Sequence, residues 1–393
     1  MRAARTVGLT AALVAMLAIG LWLGGHPAKL PPPLRDVFID DSAGLTAEAS
    51  ELIEGNYYRE VPQHELIDSS LQGMVRGLRR RYSDRFSDYF SPEALARFNE
   101  EIEGRFSGIG LTVTGMKDGL RVTSVFKGSP AEGAGIEVGE TIVSVDGRSI
   151  AGLDSSAATA LIKGPEGTEV TVDVRGQKKG ETREERLVRA QISVPVVSSK
   201  LEAVDGRKLG YARLAAFSEG AHEALRRAVR KLQQQGAQGL VLDLRGNGGG
   251  LLEEAVLTAS IFLPEDETVV TTDSRSQGHA VYKTRGDNLP SLPIVVLIDR
   301  NTASAAEILT AALADDAGAK TVGTRSFGKG VFQQEIDLSN GGALKLTVGE
   351  YFTPDGTNLA GKGIQPDVPA RDLPRTARDE AVDRALSALA ASL

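Results

Sequence analysis

From about residue 195 onward, short apolar runs rich in branched residues alternate with stretches of helical spacing. "GYARLAAF" (210–217) gives way to "GAHEALRRAVRKLQQQG" (220–236). "GLVLDLR" (239–245) is followed by "GLLEEAVLTASIFL" (250–263), and "PIVVLID" (293–299) by "SAAEILTAALADD" (304–316). Strands apolar on both faces, each followed by a helix, build a mostly parallel sheet covered by helices. This alternation predicts an α/β fold, with strand-like stretches such as "ALKLTVGEYF" (343–352) after it and an amphipathic helix at the end of the chain. In such sheets, sites form in the loops at the carboxyl ends of the strands.

The rest of the chain divides around that domain. Residues 1–25 read as a signal or membrane anchor and 26–44 as a Pro-rich spacer. Residues 45–104 form an N-terminal helical segment, in which "SPEALARFNEEIEGRF" opens with a capping serine and a proline at the first helical position. At Gly108 the pattern changes to short alternating strands with glycine turns, and residues 105–190 have the size of a small domain. The α/β domain occupies 191–370 and a C-terminal helix 371–393.

The N-terminus begins with Arg2 and Arg5, followed by the uncharged run "VGLTAALVAMLAIGLWL" (7–23). A basic start before an apolar run is an export signal. The run is near the lower limit of about 17–25 residues for a membrane span, so a cleaved signal and an uncleaved anchor both fit. Either one exports the body of the chain, to a bacterial periplasm or the extracytoplasmic face of the membrane. With 45 Lys and Arg against 52 Asp and Glu, the net charge of −7 argues against a nucleic-acid partner. There is no cysteine, which excludes disulfides, thiolate catalysis and cysteine metal sites.

Three stretches of the α/β part could carry chemistry. In "NTASAAEIL" (301–309), Ser304 stands where a buried strand turns into a helix. Free N–H groups at a helix start favour developing negative charge, although Asn301, Thr302 and Ser304 are equally good as plain helix caps. In "RSFGKGVFQQ" (325–334), Lys329 lies between two glycines. A buried lysine can lose its proton and act as the base that a serine nucleophile needs, and Gln333 is placed to orient it. A solvated turn is the bland alternative. In "LDLRGNGGG" (242–250), a strand runs into a glycine-rich turn whose N–H groups could cradle an oxyanion. The Walker pattern is absent, so a phosphate site is weakly supported.

Together these stretches resemble the carboxyl-terminal processing, or tail-specific, proteases. These are serine endopeptidases with a PDZ domain and an α/β, ClpP/crotonase-like catalytic domain. "NTASAAE" around Ser304, "FGKG" around Lys329, Gln333 and "DLRGNGGG" carry the resemblance, with Lys329 standing 25 positions after Ser304. "GIGL" and "GSPAEGAGIEVGETIVSVDG" resemble the PDZ portion, and "GKGIQPDV" (361–368) the closing segment of the catalytic domain. The resemblance spans about residues 45–393. One departure is "RYSDRFSDYF" (81–90), where the family often has an L-D-P-H-S-type stretch.

The resemblance implies that Ser304 attacks the scissile carbonyl and that Lys329 is the base, held by Gln333. The oxyanion donors would be the N–H groups of Ala305 and of Gly248 or Gly249. Gly108, Ile109, Gly110 and Leu111 would bind the C-terminus of a protein or peptide substrate. Leu161 would be a wall of that groove, and Lys163 a reporter of its occupancy. No metal or organic cofactor is implied. Family members often associate through terminal helices, which leaves a homo-oligomer open. Two other readings remain: a catalytically silent PDZ adaptor that binds protein C-termini, and a crotonase-like acyl-CoA enzyme. The exported location weighs against the latter.

Overall fold

The computed structural model describes residue 16 and residues 41–177, 181–286, 288–372, 376 and 378–393. The apolar run at 7–23, Met16 apart, and the spacer up to residue 40 lie outside the described residues. Among the described residues no helix is long and apolar enough to cross a membrane. The chain divides into two compact units. One holds the described residues up to Ser91 together with Glu335–Leu346; the other holds Pro92–Gln334 with Thr347–Leu393.

In the first unit, helix α1 (Asp41–Asn56) begins four residues earlier than the periodicity suggests, inside the stretch read as spacer. Helix α2 (Gln63–Tyr82) follows, then the short strand β1 (Asp88–Phe90), which pairs antiparallel with Ala343–Lys345. The stretch that departs from the family pattern has a structural job. Buried Tyr89 donates its hydroxyl to Asp68 at 2.6 Å and accepts from Asn340 Nδ2 at 2.8 Å, tying β1 to α2.

The second unit opens with helix α3 (Pro92–Glu103). Strand β2 (Arg105–Gly108) then pairs antiparallel with β9 (Ala190–Ser193), so the two ends of the small strand-rich block meet. Between them β3 (Leu111–Met116), β4 (Gly119–Val125), β5 (Thr141–Val145), β7 (Glu169–Arg175) and β8 (Thr182–Val188) form an antiparallel sheet in that order. The two-residue strand β6 (Arg148–Ser149) pairs with β5, and a one-turn helix α4 (Pro130–Gly133) precedes that strand pair. Strict alternation in "EVTVDVR" sends Val170, Val172 and Val174 inward, where they meet Leu120, Val122 and Ile142. Helix α5 (Ser155–Ile162) starts at Asp154, whose carboxylate accepts from the N–H groups of Ser156 and Ala157.

The α/β sheet runs β10 (Val197–Val204), β11 (Arg207–Leu214), β12 (Leu240–Asp243), β15 (Ile294–Ile298), β16 (Lys320–Gly323), β19 (Val368–Pro369). β10 and β11 are an antiparallel hairpin, and every other neighbouring pair is parallel. Alternate residues of each strand face opposite ways. Leu240, Leu242, Val296 and Ile298 pack under α6 (Ala221–Gln234), α7 (Leu252–Ala259) and α8 (Ala305–Ala317). Val241, Val295 and Leu297 pack against Ala385, Leu386 and Leu389 of the C-terminal helix α9 (Glu380–Ala390). Beyond this sheet, β13 (Thr268–Ser274) pairs with β14 (Gly278–Lys283) and with the end of β18 (Ala343–Phe352), which follows β17 (Val331–Asp337).

Leu242 is wholly buried in the centre of this core. Leu242→Ala is expected to cost about 2–5 kcal/mol through lost burial and the cavity left behind, read as a lowered Tm by calorimetry.

Candidate active site

The site is assembled by two neighbouring strand ends. β12 and β15 are parallel and in register, Asp243 lying opposite Leu297. Their outgoing loops therefore leave side by side and are laced together. Gly246 N–H donates to Asp299 Oδ1 at 3.0 Å, Thr302 Oγ1 to the Leu244 carbonyl at 2.9 Å, and Ala303 N–H to the Asn247 carbonyl at 3.0 Å. Asp299 Oδ1 also accepts from the Asn301 and Thr302 N–H groups, both at 3.0 Å, which shapes the turn into Ser304.

Ser304 sits directly before α8 with φ +57° and ψ −122°, a left-handed conformation that a residue with a Cβ rarely adopts. Such strain persists only where surrounding bonds over-determine it. The glycine-rich turn lies against this serine. A Cβ on Gly249 (φ +102°) would stand 2.8 Å from Ser304 Cβ and 3.1 Å from the Ala305 nitrogen, so only glycine fits. Gly249 donates its own N–H to Asn247 Oδ1 at 2.9 Å. Among the described residues, the N–H groups of Gly248 and Ala305 have no acceptor. The turn thus offers two free amide donors beside the serine.

Lys329 stands on the loop after β16. The glycine before it, Gly328 (φ +83°), packs so tightly on the 359–363 segment that a Cβ would come within 2.7 Å of the Gly363 nitrogen. The "GKG" of the sequence is therefore a packed turn rather than an open one, and Lys329 is half-buried. Its Nζ donates to Gln333 Oε1 at 2.7 Å, and Gln333 Nε2 donates to Thr347 Oγ1 at 3.1 Å.

The Ser304 and Lys329 loops touch directly, Phe327 N–H donating to the Thr302 carbonyl at 3.0 Å, and converge on one buried side chain. Glu307, on the first turn of α8, is fully buried. Its Oε2 accepts from the N–H groups of Ser304 and Lys329, each at 3.0 Å. Its Oε1 accepts from the Gly328 N–H at 2.7 Å and from Ser326 Oγ. Tyr351, on β18 and 2% exposed, adds a further link: its hydroxyl donates to the Lys329 carbonyl and also interacts with the Ser304 side chain. Burial first, and the Glu307 charge second, push the Tyr351 phenol far above its ordinary pKa, with the Ser304 contact acting the other way. The phenol stays a proton donor.

Glu307, Asn247, Thr347 and Tyr351 escaped the sequence reading. Two of them left a local signal: Asn247 precedes the glycines whose turn its side chain caps, and Glu307 stands in a capping-box position. "SAAE" has the spacing of a capping box, Ser304 followed three residues later by an acid. Thr347 and Tyr351 act on residues far from them in sequence.

Gly108, Ile109, Gly110 and Leu111 line a separate groove of 520 Å³ in the strand-rich block. Phe106, Val113, Phe126, Ile162 and Val194 add to its apolar wall. Leu161 does not line it. Ser155, Thr159 and Ile162 face the groove at helical spacing, which turns Leu161 toward solvent.

The sequence of residues 208–370 matches the model of Peptidase family S41, and residues 100–175 match that of the PDZ domain. The carboxy-terminal processing protease CtpA of Bacillus subtilis (strain 168) is 34% identical over 331 residues, covering 84% of this chain and 69% of that protein. Carboxy-terminal processing protease CtpB of the same organism is 33% identical over 330 residues, covering 84% and 68%. Among solved structures, a photosystem II D1 C-terminal processing protease is 30% identical, covers 84% of this chain and 94% of its own, and superposes with a TM-score of 0.49. Identity above 30% across more than two thirds of both chains, on top of the S41 and PDZ matches, means that this chain belongs to the carboxy-terminal processing proteases of peptidase family S41, PDZ-containing peptidases of the serine type.

Proposed function

We propose that the chain is an endopeptidase that recognises the exposed C-terminal tails of proteins through its PDZ groove and cuts them with a Ser304–Lys329 dyad. The observation that carries this reading is the bond from Lys329 Nζ to Gln333 Oε1, on a loop that Glu307 ties to the backbone of Ser304. Ser304 Oγ attacks the scissile carbonyl while neutral Lys329 takes its proton. The ammonium then gives that proton to the leaving amine as the C–N bond breaks. Water, activated by the same amine, hydrolyses the acyl-enzyme and restores the serine. Gln333 orients the amine throughout. Gly248 and Ala305 are the oxyanion donors of choice, because the Gly249 N–H is already committed to Asn247. The basic start and uncharged run of residues 2–23 support export, with the body held at the extracytoplasmic face of a membrane.

Intact-mass spectrometry of a disordered protein with an apolar C-terminus, incubated with the chain, tests the reading. Ser304→Ala and Lys329→Ala should each lower the cleavage rate by about 10³-fold or more, because the pair acts as a unit. Lys329→Arg should be equally inactive, since a guanidinium does not give up its proton at working pH. Retention of the tail peptide without cleavage by the parent would instead support a silent adaptor.

Glu307→Gln sets an amide NH₂ against N–H groups that now donate to oxygen. It should lower stability by about 1–3 kcal/mol and reduce kcat more than it raises KM, measured by thermal melts and steady-state kinetics. Unchanged kcat in a folded Glu307→Gln variant would show that the two loops do not depend on this carboxylate.

A further inference from the structure

The PDZ groove is apolar along its length but charged at one place. Helix α3 lays Arg97 and Glu100, one turn apart, along its margin, and Lys163 stands at the C-terminal cap of α5. Glu100 Oε2 lies 2.5 Å from Lys163 Nζ, and that ammonium is 5.5 Å above the Phe106 ring. Both side chains are about one-third exposed, 34% for Glu100 and 37% for Lys163. Gly108, Ile109 and Gly110 line the same cavity, and among the described residues the N–H groups of Ile109 and Gly110 have no acceptor. The groove therefore holds free amide donors and a cation, the chemistry that takes a carboxylate, yet the cation is already engaged by a carboxylate of the chain itself.

We propose that Glu100 is a built-in occupant of Lys163, which the terminal carboxylate of an arriving tail must displace. The inference rests on the reading of this groove as the tail site. With Glu100 in place, the three charged side chains that line the groove among the described residues sum to a single positive charge, and an arriving carboxylate is repelled by one already there. Once the tail carboxylate has taken Lys163, Glu100 is released toward solvent on a helix surface that can hydrate it. A tail whose end is blocked as an amide cannot make this exchange, so Glu100 sharpens the preference for free chain ends. The cost of displacing it is modest, because an ion pair whose partners are each about one-third exposed is screened by water.

The test is binding of two peptides to the whole chain carrying Ser304→Ala, which prevents cleavage. The peptides are identical ten-residue sequences ending in valine, one as free acid and one as amide, followed by fluorescence anisotropy. Glu100→Gln should bind the free acid about 3–10-fold tighter at low salt and leave the amide unchanged, as expected for removing one nearby like charge. The gain should shrink as salt is raised and vanish when Lys163→Gln is combined with it. Equal or weaker free-acid binding by Glu100→Gln, in a chain that otherwise prefers acid over amide, overturns the inference and spares the tail-binding reading. A chain with no preference between the two peptides overturns both. Glu100→Asp separates charge from side-chain packing: it should resemble the parent, and a gain like that of Glu100→Gln would also overturn the inference.

Discussion

The candidate active site depends on a single buried carboxylate. Glu307 is sealed from water, and a charge in such a place is costly unless hydrogen bonds replace its hydration. Four donors do so, and they come from two loops far apart in sequence. The position helps as well, because the first turn of a helix favours negative charge. The requirement works in both directions. Glu307 is tolerated only if residues 304 and 326–329 converge on it, and their convergence is what brings the Ser304 and Lys329 loops together. The left-handed backbone at Ser304 is held by the same bonds, so its strain does not relax.

A second constraint comes from the sheet. β12 and β15 are adjacent and parallel, so the glycine-rich turn and the serine turn emerge on the same edge. Asn247 then joins them and braces its own turn. Its carbonyl accepts from Ala303 N–H and its side chain from Gly249 N–H, while its Nδ2 donates to the Leu214 carbonyl of β11. The buried side-chain amide thus ties the turn to β11, while the backbone carbonyl of the same residue ties it to the serine turn. It also decides which glycine amide remains free, a question that glycine spacing alone leaves open.

This division explains what was legible in the sequence. The α/β class followed from runs such as "PIVVLID", because a strand buried on both faces must be apolar throughout. The strand-rich block followed from alternation as plain as that of Val170, Val172 and Val174. Ser304, Lys329 and Gln333 stood out through motif spacing. What could not be read were groups whose meaning is a partner elsewhere in the chain: Thr347 behind Gln333, Tyr351 over the Lys329 carbonyl, Glu100 against Lys163. Helix register was also beyond reach at single-residue level, so Leu161 reads as the wall where Ile162 faces the groove. The start of α1 at Asp41 shows the same limit at an element boundary.

The glycine-rich turn is also held from the opposite face of the sheet. Asp243, fully buried at the end of β12, accepts from Tyr211 Oη at 2.7 Å and from the Arg245 guanidinium at 2.7 Å. Arg245 reaches on to Asp379, the N-cap of α9, at 2.7 Å, and to Asp372 at 2.9 Å. Asp379 caps its helix through the Val382 N–H at the same time. Helix α9 is therefore fastened at two levels, by Leu386 and Leu389 against the sheet and by its cap against Arg245. The residue after Arg245 is Gly246, the first of the turn. A helix far along the chain thus fixes the base of the turn on one face, while Asn247 fixes its tip on the other. The turn keeps its amides aligned because neither end is free to move.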